Sequence, residues 1–470
     1  MAYSPTRAQP PLEFIPPSLD VKVLTLAQWG LPLWMNWHER LVEVEAAHVE
    51  RLVSLYQAFQ QGKNRFLLAF RHPSPEDSYA LAHLIWKEVP KTAQAMGVRL
   101  LSPVHAHFIY DRGIPLWAGD GVGWIYSKLG GTPIQRGKLD RQGLRSAREL
   151  FATGKFPIAA APEGANNGHT EIVSPLEPGI AQMGFWCVED LLKAQRSEQV
   201  FLVPLGIRYR YLSPPWQALD DLLIKLEQDC GLRSRATVQA PPPVVRNEAL
   251  PTGPIQQLYP RLYRLGEVLL EQMETYYRDF YGRSFQVATE GTEAYVDDQA
   301  ALVGRLQALL DAALQVAESY FQLPGKGTVI ERCRRIEQAG WDRIYREELG
   351  AKQSFSAVER GLADRIAEEA SLRMWHMRLV EGFVAVTGNY VREKATAERF
   401  AETLLLLRDT VMLIQGRNPF PRPKLGDQAV VLTVGEPISV SDRWSDYTAS
   451  RRRAVADLTQ NLQTALEALI

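Results

Sequence analysis

Apolar and polar positions follow two regimes along this chain. Up to about residue 212, short apolar runs of strand length alternate with segments of helical period. The runs are Phe66 to Phe70, Arg99 to Tyr110, Phe156 to Ala161 and Gln199 to Arg208, the last being the most apolar. Between them, helical spacing covers 39–60 (Leu41, Val44, Ala47, Val49, Leu52, Leu55 and Phe59), 78–96, 116–129, 140–153 and 179–194. Strands alternating with helices predict an α/β unit with a parallel sheet. After a proline-rich connector at 241–254 the pattern turns helical alone, at about 257–282, 295–322, 327–349, 355–388 and 395–415. Leu302, Leu306, Leu309, Leu310, Ala313 and Val316 have the spacing of a packed helix face, which predicts a helical bundle. Residues 1–20 read as a proline-rich arm and 446–469 as a closing helix.

Composition narrows the class. The 470 residues are 46% hydrophobic and 23% charged, enough for two or three cores. A net charge of −1 gives no general reason to expect nucleic acid as a partner, so any anionic ligand needs a local basic patch. Cys187, Cys230 and Cys333 lie far apart without C-x-x-C spacing, as suits a reduced compartment, and give no zinc or disulfide signal. With no secretory signal pattern and no uncharged run of about 20 residues, the expected location is cytoplasmic without a transmembrane helix. Val23 to Trp37 is uncharged and carries Trp29, Trp34 and Trp37. It suits peripheral attachment to a membrane surface, and equally packing beneath the following helix.

The candidate chemistry begins where the Phe66–Phe70 run ends. Pro73 forbids helix at His72, and Ser74, Pro75, Glu76 and Asp77 read as a helix start with Ser74 at the N-cap. A short turn therefore brings His72 and Asp77 together, close enough for the carboxylate to accept one ring proton and leave the other nitrogen as a base. Ser74 and Asp77 also fit a capping box, in which Asp77 is only a cap. The segment Gly130 to Gly137 presents Arg136 in a glycine-bracketed turn, followed by Lys138, Arg141, Arg145 and Arg148. That patch suits a phosphate-bearing ligand, although a run of charge is more often a solvated helix face. Phe156–Ala161 runs into a polar loop with Glu163 at its tip, and a parallel sheet would gather His72, Arg136 and Glu163 at one crevice. His105 and His107 share a strand face and are given no role. No G-x-S-x-G is present, and no cysteine lies in these segments to act as a nucleophile.

In chain order, H72-P-S-P-E-D77, G130-G-T-P-I-Q-R136, P162-E163-G164 and V203-P-L-G-I207 resemble the four blocks of the glycerolipid acyltransferase family, which includes the lysophosphatidate and glycerol-3-phosphate acyltransferases. The similarity covers roughly 64–212. It implies a mixed, largely parallel sheet flanked by helices, with His72 as general base and Asp77 as its partner. Arg136, Glu163 and Asn166 would stand at the acceptor, and Gly164 would shape the loop. The implied donor is acyl-CoA or acyl carrier protein, the implied acceptor a lipid, with no metal and no further cofactor.

Asn166 stands where the family's third block generally carries an arginine for the acceptor phosphate, and an amide does not replace a guanidinium fork. Pro133 likewise replaces a large apolar residue. The family's return strand, V-x-x-G-x-P-I, is approached only within Val431 to Ile438, where Leu432 takes the place of the valine. The expected domains are thus an arm and amphipathic helical segment at 1–63, an acyltransferase α/β domain at 64–216, an inserted all-helical domain at 217–424, and a return strand with closing helix at 425–470. The expected function is transfer of a fatty acyl group from a thioester to a glycerolipid hydroxyl such as that of 1-acylglycerol-3-phosphate, in phospholipid synthesis. An uncharged lipid or alcohol acceptor, a hydrolase, and a noncatalytic lipid-binding scaffold are the alternatives.

Overall fold

The structure, a computed structural model, describes residues 6–135, 140–232, 253–285, 298–350, 355–383 and 389–470. The chain divides into two compact units. One, the sheet unit, is Leu12–Leu212 with Asp427–Ile470; the other, the helical unit, is Met1–Pro11 with Ser213–Gly426.

The sheet unit is α/β. Its strands are β1 (Leu41–Ala47), β2 (Asn64–Phe70), β3 (His107–Asp111), β4 (Gly131–Ile134), β5 (Ile158–Ala160), β6 (Gln199–Tyr211), β7 (Gln428–Val434) and β8 (Ile438–Ser439). They form one sheet in the order β1-β7-β6-β2-β5-β3-β4, with β8 also on β6. The five strands from β6 to β4 are parallel; β7 is antiparallel to β6, and β1 runs parallel to β7. β2 is buried from end to end, as expected of a strand covered on both faces. Phe66, Leu68 and Phe70 join the core beneath the helix Val49–Gln60 and the run from Asp77 to Ala95. Leu67 and Ala69 face the opposite core, shared with helices Arg141–Thr153, Gly179–Lys193 and Arg451–Glu467.

Pro204 is tolerated inside central β6 because of where β6 changes partners. β8 pairs with Phe201 and Leu202, and β7 takes over from Leu205. The missing N–H therefore falls between two ladders, and the Pro204 carbonyl still accepts from Gly435 N–H at 2.8 Å. The chain leaves the sheet unit and re-enters it at one place, where Leu212 N–H donates to the Asp427 carbonyl at 3.0 Å.

Several elements differ from the sequence reading. The helix expected over 39–60 is two elements: β1, and a helix that starts only at Val49, after His48 turns the backbone to φ 60°. The Leu-Val-Glu-Val-Glu repeat fits period two as well as helical spacing. Its ladder to β7, distant in sequence, decides the matter. Residues 41–47 thus belong to the sheet, not to an N-terminal helical segment. The expected helix 78–96 begins at Asp77 and contains a π turn at Leu84–Glu88, just before Pro90 withdraws its N–H from the ladder. Of the strand expected over 99–110, only the end at β3 is paired, because β5 and β4 are three and four residues long. The helix 116–129 is split at Gly119, whose φ of +96° suits glycine. The arm is also divided: Gln9 donates to the Ile344 carbonyl at 2.7 Å, within the helical unit.

The helical unit, in its described residues, carries Trp216–Asp229, Pro254–Tyr281, Asp298–Phe321, Val329–Ile344, Ala357–Glu381 and Ala397–Ile414. Thr328 with Glu331, and Ser356 with Glu359, close two capping boxes. Arg332 joins two helices through Glu318, Nε to Oε1 at 2.7 Å. Among the described residues no helix is long and apolar enough to cross a membrane.

Candidate active site

The end of β2 positions the imidazole. His72 follows Phe70 and Arg71, and its backbone N–H donates to Glu163 Oε1 at 2.8 Å, while its carbonyl accepts from Asn167 N–H at 3.3 Å. β5, the neighbour of β2, delivers Glu163 to the same carboxyl end of the sheet. Backbone bonds on both sides thus fix the chain at His72 before its ring meets anything.

The ring is held by Asp77. His72 Nδ1 lies 2.9 Å from Asp77 Oδ2. The same oxygen accepts Ser74 N–H at 2.9 Å, and Oδ1 accepts the Tyr209 hydroxyl at 2.6 Å. Asp77 is therefore half of a capping box and the partner of the imidazole at once. The expected helix start at Ser74 moves to Asp77, because the Ser74 hydroxyl bonds Glu76 and its N–H goes to Asp77. Asp77 N–H is used by the Ser74 carbonyl at 3.2 Å, so it is no donor for a ligand.

With its other two neighbours donating, the Asp77 carboxylate accepts from Nδ1–H, and the basic lone pair is on Nε2. Among the described residues none bonds Nε2, and the His72 side chain is 29% exposed. Burial raises the Asp77 carboxyl pKa, and the bonds from His72, Tyr209 and Ser74 oppose that shift. Burial and the nearby carboxylates push the Tyr209 phenol well above its usual value, so it donates throughout the physiological range.

Glu163 is where the residue-level expectation has to be corrected. The resemblance implies that it holds the acceptor, yet its side chain is fully buried. Oε1 accepts His72 N–H, and Oε2 accepts Asn167 Nδ2 at 2.9 Å and Ser174 N–H at 2.9 Å. Arg71 Nε lies 3.5 Å from Oε1, also fully buried, and its other nitrogens donate to the carbonyls of His169, Thr170 and Ile172. Glu163 is spent on positioning the loop and His72. Gly164 does shape that loop: its φ is +71°, and a Cβ there would run into the Glu177 carboxylate. Asn166 is half-buried, and its Oδ1 accepts Gly168 N–H at 2.7 Å in a local turn.

Arg136 and Lys138 lie outside the described residues. Both ends of their segment are anchored, since Asp140 accepts from Gln135 N–H at 3.0 Å, from Gly143 N–H at 3.0 Å and from Arg112. The expected basic face on 141–148 is only partly basic: Arg148 is bound by Asp190 and Glu189, whereas Arg141 and Arg145 are exposed. His105 and His107 are structural, bonded to the carbonyls of Leu129 and Gly130, and burial lowers His105 to about 4. Among the described residues no group of histidine, cysteine or acidic side chains is arranged to hold a metal ion.

Sequence reasoning missed Tyr209, Arg71, Asn167 and Ser174. Tyr209 was within reach: it continues the alternate positions Val203, Leu205 and Ile207 of β6 onto the core face that carries Asp77's helix. No protein-family model matches the chain, and neither curated proteins nor solved structures yield a match.

Glu163→Gln removes the charge facing buried Arg71 and sets an amide N–H against donors. Its unfolding free energy falls by about 3–5 kcal/mol, measured as a shift of the urea midpoint at unchanged slope.

Proposed function

We propose that the protein is an acyltransferase that moves a fatty acyl group from an acyl-CoA or acyl carrier protein thioester to the hydroxyl of a glycerolipid acceptor such as 1-acylglycerol-3-phosphate. The observation that carries this reading is the imidazole of His72, its Nδ1 on Asp77 at 2.9 Å, with Nε2 open at the carboxyl end of parallel strands. In the proposed step Nε2 takes the acceptor hydroxyl proton as the oxygen attacks the thioester carbonyl. The C–S bond breaks as the ester forms, and the thiolate leaves. Asp77 offsets the charge of the imidazolium, and a positioned base of this kind contributes roughly 10²–10⁴ in rate. Glu163 and Tyr209 act as positioning residues. The helical segment between Leu212 and Asp427 is read as an insertion into the acyltransferase domain.

An uncharged lipid or alcohol acceptor is the second reading, and Asn166 favours it, since an amide tied to Gly168 offers no charge to a phosphate. Mass spectrometry of products formed from both thioester donors with phosphorylated and uncharged acceptors separates the two. Acylated product is expected; free fatty acid alone, or no turnover, defeats the transferase reading. His72→Ala abolishes transfer with the fold intact by circular dichroism. Asp77→Asn lowers kcat by about 10²-fold or more.

Tyr209→Phe has a distinct signature. It deletes a bond that favours the Asp77 carboxylate, so the carboxyl pKa rises further. The carboxylate is then lost at a higher pH on acidification, and the acid limb of kcat/KM shifts upward. An unshifted profile removes Tyr209 from the mechanism.

Peripheral membrane attachment draws support from the helix Val21–Trp37. Leu26, Trp29, Leu33 and Trp37 recur on one face, with Trp29 73% and Trp37 84% exposed, while Leu24, Leu31 and Met35 are buried. Trp29→Ser with Trp37→Ser keeps the fold and loses co-sedimentation with phospholipid vesicles; undiminished binding refutes this attachment.

A further inference from the structure

The helical unit contains a feature that the acyl-transfer reading does not use. A cavity of about 130 Å³ lies among the helices Pro254–Tyr281, Asp298–Phe321, Ala357–Glu381 and Ala397–Ile414. Its lining is almost wholly hydrocarbon. Four hydroxyls border it, those of Tyr259, Tyr263, Tyr390 and Thr403, and of these Tyr390 donates to Glu402 at 2.6 Å and Thr403 to the Arg399 carbonyl at 2.9 Å. The volume approaches the ~150 Å³ of apolar voids that stay dry and admit small apolar molecules.

Its shape is that of a slot. On Pro254–Tyr281 the lining recurs from Tyr259 through Gly266 to Met273, a stripe about 21 Å long at 1.5 Å per residue. Tyr259, Gly266, Leu302 and Leu306 are half-buried, whereas Leu270, Leu310 and Leu407 are buried, so the lining reaches from a partly accessible side into the core. The sequence leaves the space open at Gly266. This glycine sits in a helix interior, where glycine is unfavourable, and a Cβ added there would meet nothing within 4 Å. Natural cores rarely keep voids of this size, since their lining loses dispersion contacts.

We propose that this cavity is a binding site for the apolar end of a straight hydrocarbon chain, such as that of a fatty acid or an acyl lipid. The lining offers such a ligand no charged partner, so its polar end lies outward. The proposal does not depend on His72, and it stands or falls separately from acyl transfer.

The test uses the full chain and a fatty acid with a diazirine at its methyl end. After photolysis, peptide mapping is expected to place the label in segments 259–273, 302–310 or 403–407. Label confined to Leu12–Leu212, or no label, overturns the proposal. In parallel, Gly266→Leu fills the slot and is expected to weaken cis-parinaric acid binding at least tenfold, with an unchanged circular dichroism spectrum. Gly266→Ala keeps the slot open, raises the melting temperature and retains binding, so it guards against misfolding of the larger variant. Equal binding by wild type and Gly266→Leu refutes the site. The same titration with an acyl-CoA of equal chain length distinguishes a free fatty acid from an esterified chain as the source.

Discussion

A buried carboxylate organises the sheet unit. Glu163 has no solvent, so its charge must be met by protein, and it is met by Arg71 and by N–H donors from His72, Asn167 and Ser174. Arg71 in turn spends its remaining donors on the carbonyls of His169, Thr170 and Ile172. The hydroxyl of Thr170 then accepts Tyr209 N–H at 2.9 Å, and Tyr209 reaches Asp77. One closed circuit therefore ties the end of β2, the loop after β5 and the far part of β6 into a rigid frame. An ion pair of this kind adds little net stability against an apolar replacement, and its contribution lies in fixing where the chain runs. Here that place is the backbone of His72.

Capping at Ser74 and contact with the imidazole turn out to be compatible roles for Asp77, because a carboxylate has room for both. Oδ2 takes Ser74 N–H and the imidazole together, and Oδ1 takes the phenol. The consequence for the ring is that the turn geometry and the tautomer are set by the same side chain. A substitution at position 77 would disturb the entry to the helix as well as the histidine, which is why the conservative amide variant is the informative one.

The chain pattern made the α/β unit, the parallel core and the long helices of residues 254–414 legible, because burial on two faces and helical stripes leave periodic marks. It placed His72 and Asp77 on one short turn through Pro73 and the helix-start residues Ser74 to Asp77. Other features were hidden for identifiable reasons. β1 is made by a ladder to β7, nearly four hundred residues away, and its Val-Glu repeat fits two periods. Glu163 read as a loop-tip carboxylate pointing outward, since nothing local announces that Arg71 is buried beside it. Arg71 itself follows an apolar strand and looks like an ordinary surface stop. Pairings between residues about ninety apart carry no signature in a single sequence.

The loop after β5 is held by its own two amides. Asn167 is the residue that clamps Glu163, through bonds to Oε2, to the Ile172 carbonyl and to Ser174, while Asn166 closes only a local turn. The segment 163–168 thus satisfies itself and offers no cation. Arg112 is committed to Asp140 and Arg148 to Asp190. His72 and Gln135 follow different strands, β2 and β4, separated in the sheet by β5 and β3. The bonds that fix His72 therefore share no residue with the bonds by which Asp140 anchors Gln135.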